Sequence, residues 1–258
     1  MTSYADTWLA WYYKVLSRSH SFVYTCETAP ENLSFLVDAY AAHQPAVIDM
    51  RNSTPEWNMP YLKAKFAGAP IEVQARRNST PDFETQSHML RHVMPADAFI
   101  DSLISAKNDR YLTAQNARAN RHVVDPLLSE LGNFPSYLNR NFDRVFLWLG
   151  NDSMTPLHHD MTNNFLWQIF GTKLIRLVSP LLIRRLQCYS GVHSTLGWLD
   201  EQKAIANNLV FRDIMLAPGY ALFIPVGWFH CVQSVGHTAM LTCTDFVWPN
   251  SWNEIHLQ

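Results

Sequence analysis

The chain has 258 residues, of which 48% are hydrophobic and 16% are charged. This composition is typical of a packed globular protein and excludes a disordered or fibrous one. The formal net charge of −2 argues against a general nucleic-acid binder, which normally carries a basic face, so we expect no nucleic acid among the partners.

The cysteines and the apolar runs bear on the cellular compartment. Cys26, Cys188, Cys231 and Cys243 include no C-x-x-C pair, which indicates reduced, buried thiols. Residues 1–6 lack the basic and apolar regions of a signal peptide, and no apolar run reaches the roughly 18 residues that span a bilayer. The sequence therefore predicts a cytoplasmic protein without membrane contact.

The first part of the chain, about residues 1–143, is predicted to be helical and mixed. Apolar periodicity and start signals predict helices at 8–15, 31–42, 60–66 and 95–104 and another that opens at Asp125 and Pro126, with short strands at 46–48, 71–75 and 111–114. Residues 76–93 are polar and without periodicity. We expect them to form a long surface loop, which could be a substrate lid or a passive connection.

From Arg144 onward, strand signals follow one another at short intervals. Strands are predicted at 145–149, 155–160, 164–170, 173–178, 213–216, 221–224, 228–235 and 238–247, with a short helix at 180–186 and an insertion at 187–208. The third and fourth strands are predicted to form a hairpin across a tight turn at Gly171 and Thr172. Short antiparallel strands joined by glycine and proline turns are typical of a double-sheet jelly roll or barrel.

No repeat, low-complexity tract or linker divides the chain. We therefore expect one domain over 1–258, mainly β with α, in which N-terminal helices buttress a β core of about residues 144–248. Four residues, Trp198, Trp228, Tyr189 and His193, could border a substrate entrance or pack in the core.

Three residues have the pattern of a metal site. In an extended strand, residues i and i+2 face the same side, so His158 and Asp160 can bind one ion while His159 points away. A distant histidine, His230, completes the set that a 2-His-1-carboxylate iron site requires. Each histidine alone could be a hydrogen-bonded core residue, but an aspartate on an apolar strand needs a metal or another cation.

One basic residue points to an anionic ligand. The ammonium group of Lys173 lies on a strand predicted to face the barrel, where it is costly to bury without an anion. Its position after a predicted turn also allows an exposed lysine.

Several short motifs in the second half resemble those of one known family. The motifs are Trp148-Leu149-Gly150, the stretch 155–160, Asn164-Phe165-Leu166, Gly171-Thr172-Lys173 and the stretch 222–230. They look like those of the cupin-like JmjC oxygenases, and the resemblance covers roughly residues 28–248. It implies a double-stranded β-helix that holds Fe(II) and uses 2-oxoglutarate and O2, with succinate and CO2 as co-products.

The resemblance also implies a role for each matching residue. The catalytic iron ligands are matched by His158, Asp160 and His230. Lys173 matches the residue that pairs with the far carboxylate of 2-oxoglutarate, and Tyr111 resembles a tyrosine that offers its hydroxyl to the same carboxylate. The lining of the co-substrate pocket is matched by Thr155, Asn164 and Trp148.

The activity expected from this resemblance is hydroxylation. A side chain of a protein or peptide is the favoured substrate, and a small metabolite is the alternative. Histone demethylation is not expected, because no reader domain or zinc-binding appendage accompanies the motifs. A non-catalytic cupin would have no need of the triad together with Lys173, and a metal-dependent cupin without 2-oxoglutarate would not need Lys173, Thr155 and Asn164. A monomer and a homodimer both remain open.

Overall fold

The fold was analysed in a computed structural model, which describes residues 24–25, 33–80, 86–112, 118–186, 188–190 and 192–250. The predicted helix at 8–15 lies outside these residues. The described helices are α1 (Leu33–Ala41), α2 (Met59–Lys65), α3 (Ala96–Ser105), α4 (Arg121–Leu128) and α5 (Glu201–Ala206), with short 3-10 turns at Ser87–Leu90, Phe142–Arg144 and Pro180–Arg185. None of the helices in this part of the chain has the length and apolar character needed to span a membrane.

Thirteen strands of the described chain join into one mostly antiparallel sheet. They are β1 (Tyr24–Thr25), β2 (Ala46–Asp49), β3 (Pro70–Gln74), β4 (Arg91–Pro95), β5 (Tyr111–Leu112), β6 (Val145–Asn151), β7 (Met154–His159), β8 (Asn164–Val178), β9 (Cys188–Ser190), β10 (His193–Ser194), β11 (Phe211–Leu216), β12 (Tyr220–Ile224) and β13 (Phe229–Cys243). The main path runs β1-β2-β12-β8-β13-β6-β5-β3-β4, and β7 and β11 pair with β13 and β8 beside it. This confirms the predicted jelly-roll, double-stranded β-helix class, in which strands of the first half complete the sheet.

The predicted hairpin at Gly171 is wrong. β8 runs without a turn from residue 164 to 178, pairing with β12 over residues 164–167, with β11 over 173–178 and with β13 along its length. Gly171 has φ +67°, and a Cβ there would lie 2.0 Å from the carbonyl oxygen of His237. The glycine therefore permits a bend and a close approach of β13, where the register shifts between Val235 and Ala239.

The helices of the first half pack against the sheet in one apolar core. Buried side chains from α1 to α4, such as Leu36, Leu62, Phe99 and Leu127, share a cluster with residues of the central strands, such as Trp167. The predicted buttressing of the β core by helices is thus confirmed for the described helices. The extent of a single domain over 1–258 stays a prediction.

Two local predictions differ from the structure. Residues 76–93 are not all loop, because β4 begins at Arg91 and pairs with β3. Pro126 lies near the end of α4 and not in its first turn, since the helix already begins at Arg121. Two cysteines in the described part, Cys231 and Cys243, are buried free thiols as predicted, and burial raises the pKa of each to about 12.

Candidate metal centre

Two strands bring the three predicted metal ligands together. His158 on β7 lies directly opposite His230 on β13, and Asp160 follows β7 by one residue. The potential ligand atoms of the three side chains all lie within 4.8 Å of one another. Nε2 of His230 is 3.4 Å from one Asp160 oxygen, and Nε2 of His158 is 3.9 Å from the other. This spacing suits side chains that surround one ion.

Backbone carbonyls orient both imidazoles. Nδ1 of His158 lies 2.8 Å from the carbonyl oxygen of Pro156, and Nδ1 of His230 lies 3.2 Å from that of Trp228. Because a carbonyl only accepts hydrogen bonds, each Nδ1 is the donor, and in the neutral imidazole this leaves the lone pair on Nε2. Such an outer partner is characteristic of metal-binding histidines.

The ionisation of the site also suits a divalent cation. Burial and the neighbouring His158 lower the pKa of His230 to about 4, which keeps this imidazole neutral. The Asp160 side chain is 38% exposed because it opens onto a cavity. Loss of water alone would raise the pKa of Asp160, but His158, His230 and the hydrogen bond from the Asn164 amide outweigh it and hold that pKa below its usual value. Neutral imidazoles and a carboxylate are the forms that bind metal.

A cavity of about 450 Å³ adjoins the three residues. Its lining includes all eight residues predicted for the site: His158, Asp160, His230, Lys173, Thr155, Asn164, Tyr111 and Trp148. His159 is not in the lining and packs against Phe229 with 4.8 Å between ring centroids. The structure thus brings the predicted residues to one place and turns His159 away, as expected from the strand geometry.

Lys173 is a buried cation. Its side chain has no solvent exposure, which excludes the exposed turn lysine that the sequence had allowed. Its ammonium group donates a 2.8 Å hydrogen bond to the Tyr111 hydroxyl, and burial together with the nearby Arg77 lowers the pKa of Lys173 to about 7. No carboxylate in the described part of the chain forms an ion pair with it. An anionic ligand would offset the cost of this burial.

Gly150 makes room for Tyr111. The two residues lie opposite each other on β6 and β5, and a Cβ at Gly150 would be 2.2 Å from the tyrosine ring. Trp148 stacks beside the same ring at 5.8 Å between centroids and donates a 2.8 Å hydrogen bond to Thr242. The Trp148-Leu149-Gly150 motif therefore positions the tyrosine that meets Lys173.

Arg77 belongs to the cavity although the sequence placed it in a patternless loop. It is only 4% exposed, and its guanidinium lies 5.1 Å from the centroid of the Tyr111 ring. The Asp109 carboxylate accepts hydrogen bonds from the backbone N–H groups of Arg76 and Asn78, at 2.9 and 2.8 Å. Asp109 lies about 30 residues away in sequence, and Arg76 adopts a left-handed φ of +63°. Local periodicity therefore could not reveal that Arg77 points into the cavity.

The residues expected near an entrance divide between two environments. His193 on β10 lies opposite His158 and lines the cavity. Trp228 is instead a core residue, 3% exposed, whose indole donates a 2.9 Å hydrogen bond to the carbonyl of His43. Trp198 is half-buried and packs against an apolar cluster that includes Leu199 and Phe229. The side chain of Tyr189 is outside the described part.

Fold and site together define a cupin with a 2-His-1-carboxylate ligand set beside a cavity. Residues 31–252 match the model of the cupin-like domain family, so the chain belongs to the cupin-like JmjC family. It is 26% identical to tRNA wybutosine-synthesizing protein 5 of Gallus gallus over 78% of this chain and 70% of that protein. It is 27% identical to Lysine-specific demethylase JMJ30 of Arabidopsis thaliana, over 84% of this chain and 52% of the relative.

A third relative, Lysine-specific demethylase 8 of Xenopus tropicalis, is 27% identical over 73% of this chain and 44% of its own length. The chain therefore spans about half of the two demethylases. The names of these relatives refer to different reactions, one to wybutosine synthesis in tRNA and two to lysine demethylation. Family membership supports an oxygenase that uses Fe(II) and 2-oxoglutarate. The ligand set of two histidines and Asp160 fits the metal, and the buried Lys173 fits a carboxylate.

Proposed function

We propose that this chain is an Fe(II)- and 2-oxoglutarate-dependent hydroxylase that acts on a side chain of a protein or peptide. The observation that carries the proposal is that one cavity holds both the ligand set His158, Asp160 and His230 and the buried Lys173–Tyr111 pair. The first feature accounts for a metal. The second accounts for a carboxylate-bearing co-substrate, for which a metal-binding cupin of another kind would have no use.

Each residue has a task that follows from its contacts. His158 and His230 would bind iron through Nε2 and Asp160 through its carboxylate, and iron with 2-oxoglutarate supplies the activation of O2. Asn164 orients Asp160 by its amide hydrogen bond. Lys173 and Tyr111 would bind the far carboxylate of 2-oxoglutarate by charge-assisted hydrogen bonds.

The aromatic wall and Thr155 complete the co-substrate pocket. Trp148 is half-buried and stacks beside Tyr111, whose hydroxyl accepts the hydrogen bond from the Lys173 ammonium. The hydroxyl of Thr155 lies 3.5 Å from the Arg77 guanidinium, so it can share a ligand with that group. A drier pocket strengthens each of these electrostatic contacts.

A peptide substrate is supported by the strand at the rim of the cavity. β4 ends the sheet order and pairs only with β3 among the described strands. Its first residue, Arg91, lines the cavity, and so does Ser87 in the 3-10 turn before it. An extended peptide can add to such an edge through its backbone and so place one side chain in the cavity. A small metabolite would make no use of this edge.

The test is turnover followed by identification of the product. Protein supplied with Fe(II), ascorbate and 2-oxoglutarate should form succinate slowly without substrate, and peptides drawn from a proteome digest should gain the mass of one oxygen atom. Asp160→Ala should lose both signals, while Asp101→Ala, at a carboxylate on α3 that is 57% exposed, should keep them.

Three outcomes would contradict the proposal. Absence of 2-oxoglutarate binding by calorimetry would overturn the oxygenase assignment. Loss of a methyl group from peptides would indicate a demethylase. Product formation from small molecules but from no peptide would favour the metabolite hydroxylase.

A further inference from the structure

We propose, on the basis of the function above, that Arg91 and Arg144 recognise an oxyanion on the substrate, borne by an acidic residue next to the side chain that is hydroxylated. The two arginines lie on different walls of the cavity beside the candidate metal centre. Neither is required by iron or by 2-oxoglutarate.

The lining of the cavity is basic although the chain is not. Its described lining contains four basic side chains, Lys173, Arg77, Arg91 and Arg144, and one carboxylate, Asp160. The whole chain has 20 basic and 22 acidic residues, so the cavity reverses the overall balance. Because the charge of Fe(II) equals that of 2-oxoglutarate with opposite sign, binding both leaves this local excess of positive charge in place.

The sheet register places Arg91 on the cavity side. Arg91 on β4 lies opposite Gln74 on β3, which lies opposite Tyr111 on β5. Residues opposite each other share one face of a sheet, and Gln74 and Tyr111 both line the cavity. Two strand spacings put the backbone of Arg91 about 10 Å from that of Tyr111. Arg91 therefore lies outside the pocket assigned to 2-oxoglutarate, but its side chain can reach a substrate bound in the same cavity.

The guanidinium of Arg91 has hydrogen-bonding capacity left over. It donates to the Ser87 hydroxyl at 3.4 Å, and its Nε is buried without an acceptor in the described part of the chain. A buried N–H that lacks an acceptor destabilises the protein. An incoming carboxylate or phosphoryl oxygen would remove this destabilisation, which neutral substrates without an acceptor at this position cannot do.

Arg144 lines the same side of the cavity as Trp148. Arg144 is the last residue of the 3-10 turn that precedes β6, and it lines the cavity together with Phe146 and Trp148, which follow at alternate positions on β6. The Arg144 side chain is exposed, and it forms no ion pair or hydrogen bond with the residues that the structure describes, whereas its carbonyl accepts from the backbone of Thr244 at 3.0 Å. The backbone of Arg144 is therefore fixed by a hydrogen bond, while its guanidinium group can bind an anionic ligand.

An acidic peptide fits these features better than a nucleic acid. The available positive charge lies within one cavity, and the chain as a whole has a net charge of −2, whereas a nucleic-acid binder presents a basic face to many phosphates. A carboxylate and the phosphoryl group of a phosphorylated residue share the oxyanion chemistry, and both make bidentate contacts with arginine.

The experiment measures binding and not turnover. The full chain, loaded with Mn(II) and 2-oxoglutarate without oxygen, is equilibrated with a random nine-residue peptide library, and bound peptides are sequenced. A second library carries phosphoserine at the same frequency as aspartate. Acidic residues should be enriched at a fixed position, and the dissociation constant of the best acidic peptide should rise about tenfold in Arg91→Gln and again in Arg144→Gln.

The matched controls are exposed arginines outside the cavity lining. Arg212→Gln on β11 and Arg184→Gln on the 3-10 turn should leave both the enrichment and the dissociation constant unchanged. Unchanged thermal unfolding and 2-oxoglutarate affinity of the Arg91 and Arg144 variants show that the fold and the co-substrate pocket are intact.

The outcomes separate this inference from the function on which it rests. If the wild type does not bind 2-oxoglutarate, the proposed function fails. If it binds 2-oxoglutarate but selects neutral or basic peptides, or if the two variants keep the acidic preference, the oxyanion site is refuted. Tighter binding of a single-stranded oligonucleotide than of any peptide would also refute it. Preference for phosphoserine over aspartate identifies the phosphoryl form of the same oxyanion.

Discussion

Replacing Lys173 by methionine should stabilise the free protein and abolish the response to 2-oxoglutarate. Burial and Arg77 lower the pKa of Lys173 from 10.5 to about 7, which corresponds to ~5 kcal/mol of unfavourable free energy for keeping the ammonium charged below pH 7. Methionine removes that cost and fills a similar volume, but it loses the hydrogen bond to Tyr111, worth ~1–2 kcal/mol. At pH 6.5 the net gain should be about 3 kcal/mol, a rise in Tm of about 6–12 °C.

The same protein samples test the role of the ammonium. Scanning calorimetry with Mn(II) should show that 2-oxoglutarate at a hundred times its Kd stabilises the wild type by about 2.7 kcal/mol and leaves Lys173→Met unchanged. Lys107→Met, at an 89% exposed side chain, is the matched control and should alter neither quantity. A less stable free Lys173→Met would mean that the cation is already neutralised within the protein. A normal response of this variant to 2-oxoglutarate would refute Lys173 as the carboxylate anchor.

Three further results are expected. Because free Lys173 loses its proton above pH 7 and the charged form binds the carboxylate, the Kd for 2-oxoglutarate should rise about tenfold per pH unit between pH 7.5 and 9; a flat titration would contradict this. Asp160→Asn should weaken Mn(II) binding at least about tenfold by electron paramagnetic resonance, and unchanged affinity would exclude Asp160 as a ligand. Gly150→Ala should raise KM for 2-oxoglutarate several-fold with a smaller change in kcat, because its Cβ displaces Tyr111; Gly132→Ala, with open space around its Cβ, should leave KM unchanged.

The ligand pair His158 and Asp160 could be predicted from sequence because its geometry is local, whereas His230 lies on a distant strand. The alternation of a strand places His158 and Asp160 on one side and His159 on the other, whatever the strand pairs with. The fold class was equally accessible, since turn residues and short apolar runs recur through the second half of the chain. The co-substrate residues Lys173, Thr155, Asn164, Trp148 and Tyr111 came from the family motifs, and the structure brings them to the same cavity. Their roles there remain predictions.

Long-range contacts explain what the sequence pattern did not reveal. A glycine with positive φ serves a hairpin turn and a strand bend equally well, and only the approach of His237 to Gly171 distinguishes the two. The sequence around Arg77 is ordinary and polar, but the hydrogen bonds from the backbone of Arg76 and Asn78 to Asp109 direct Arg77 into the cavity. Periodicity reports which face of an element is buried. Which distant element covers that face depends on tertiary packing, and so do the burial of Lys173 and the basic character of the cavity.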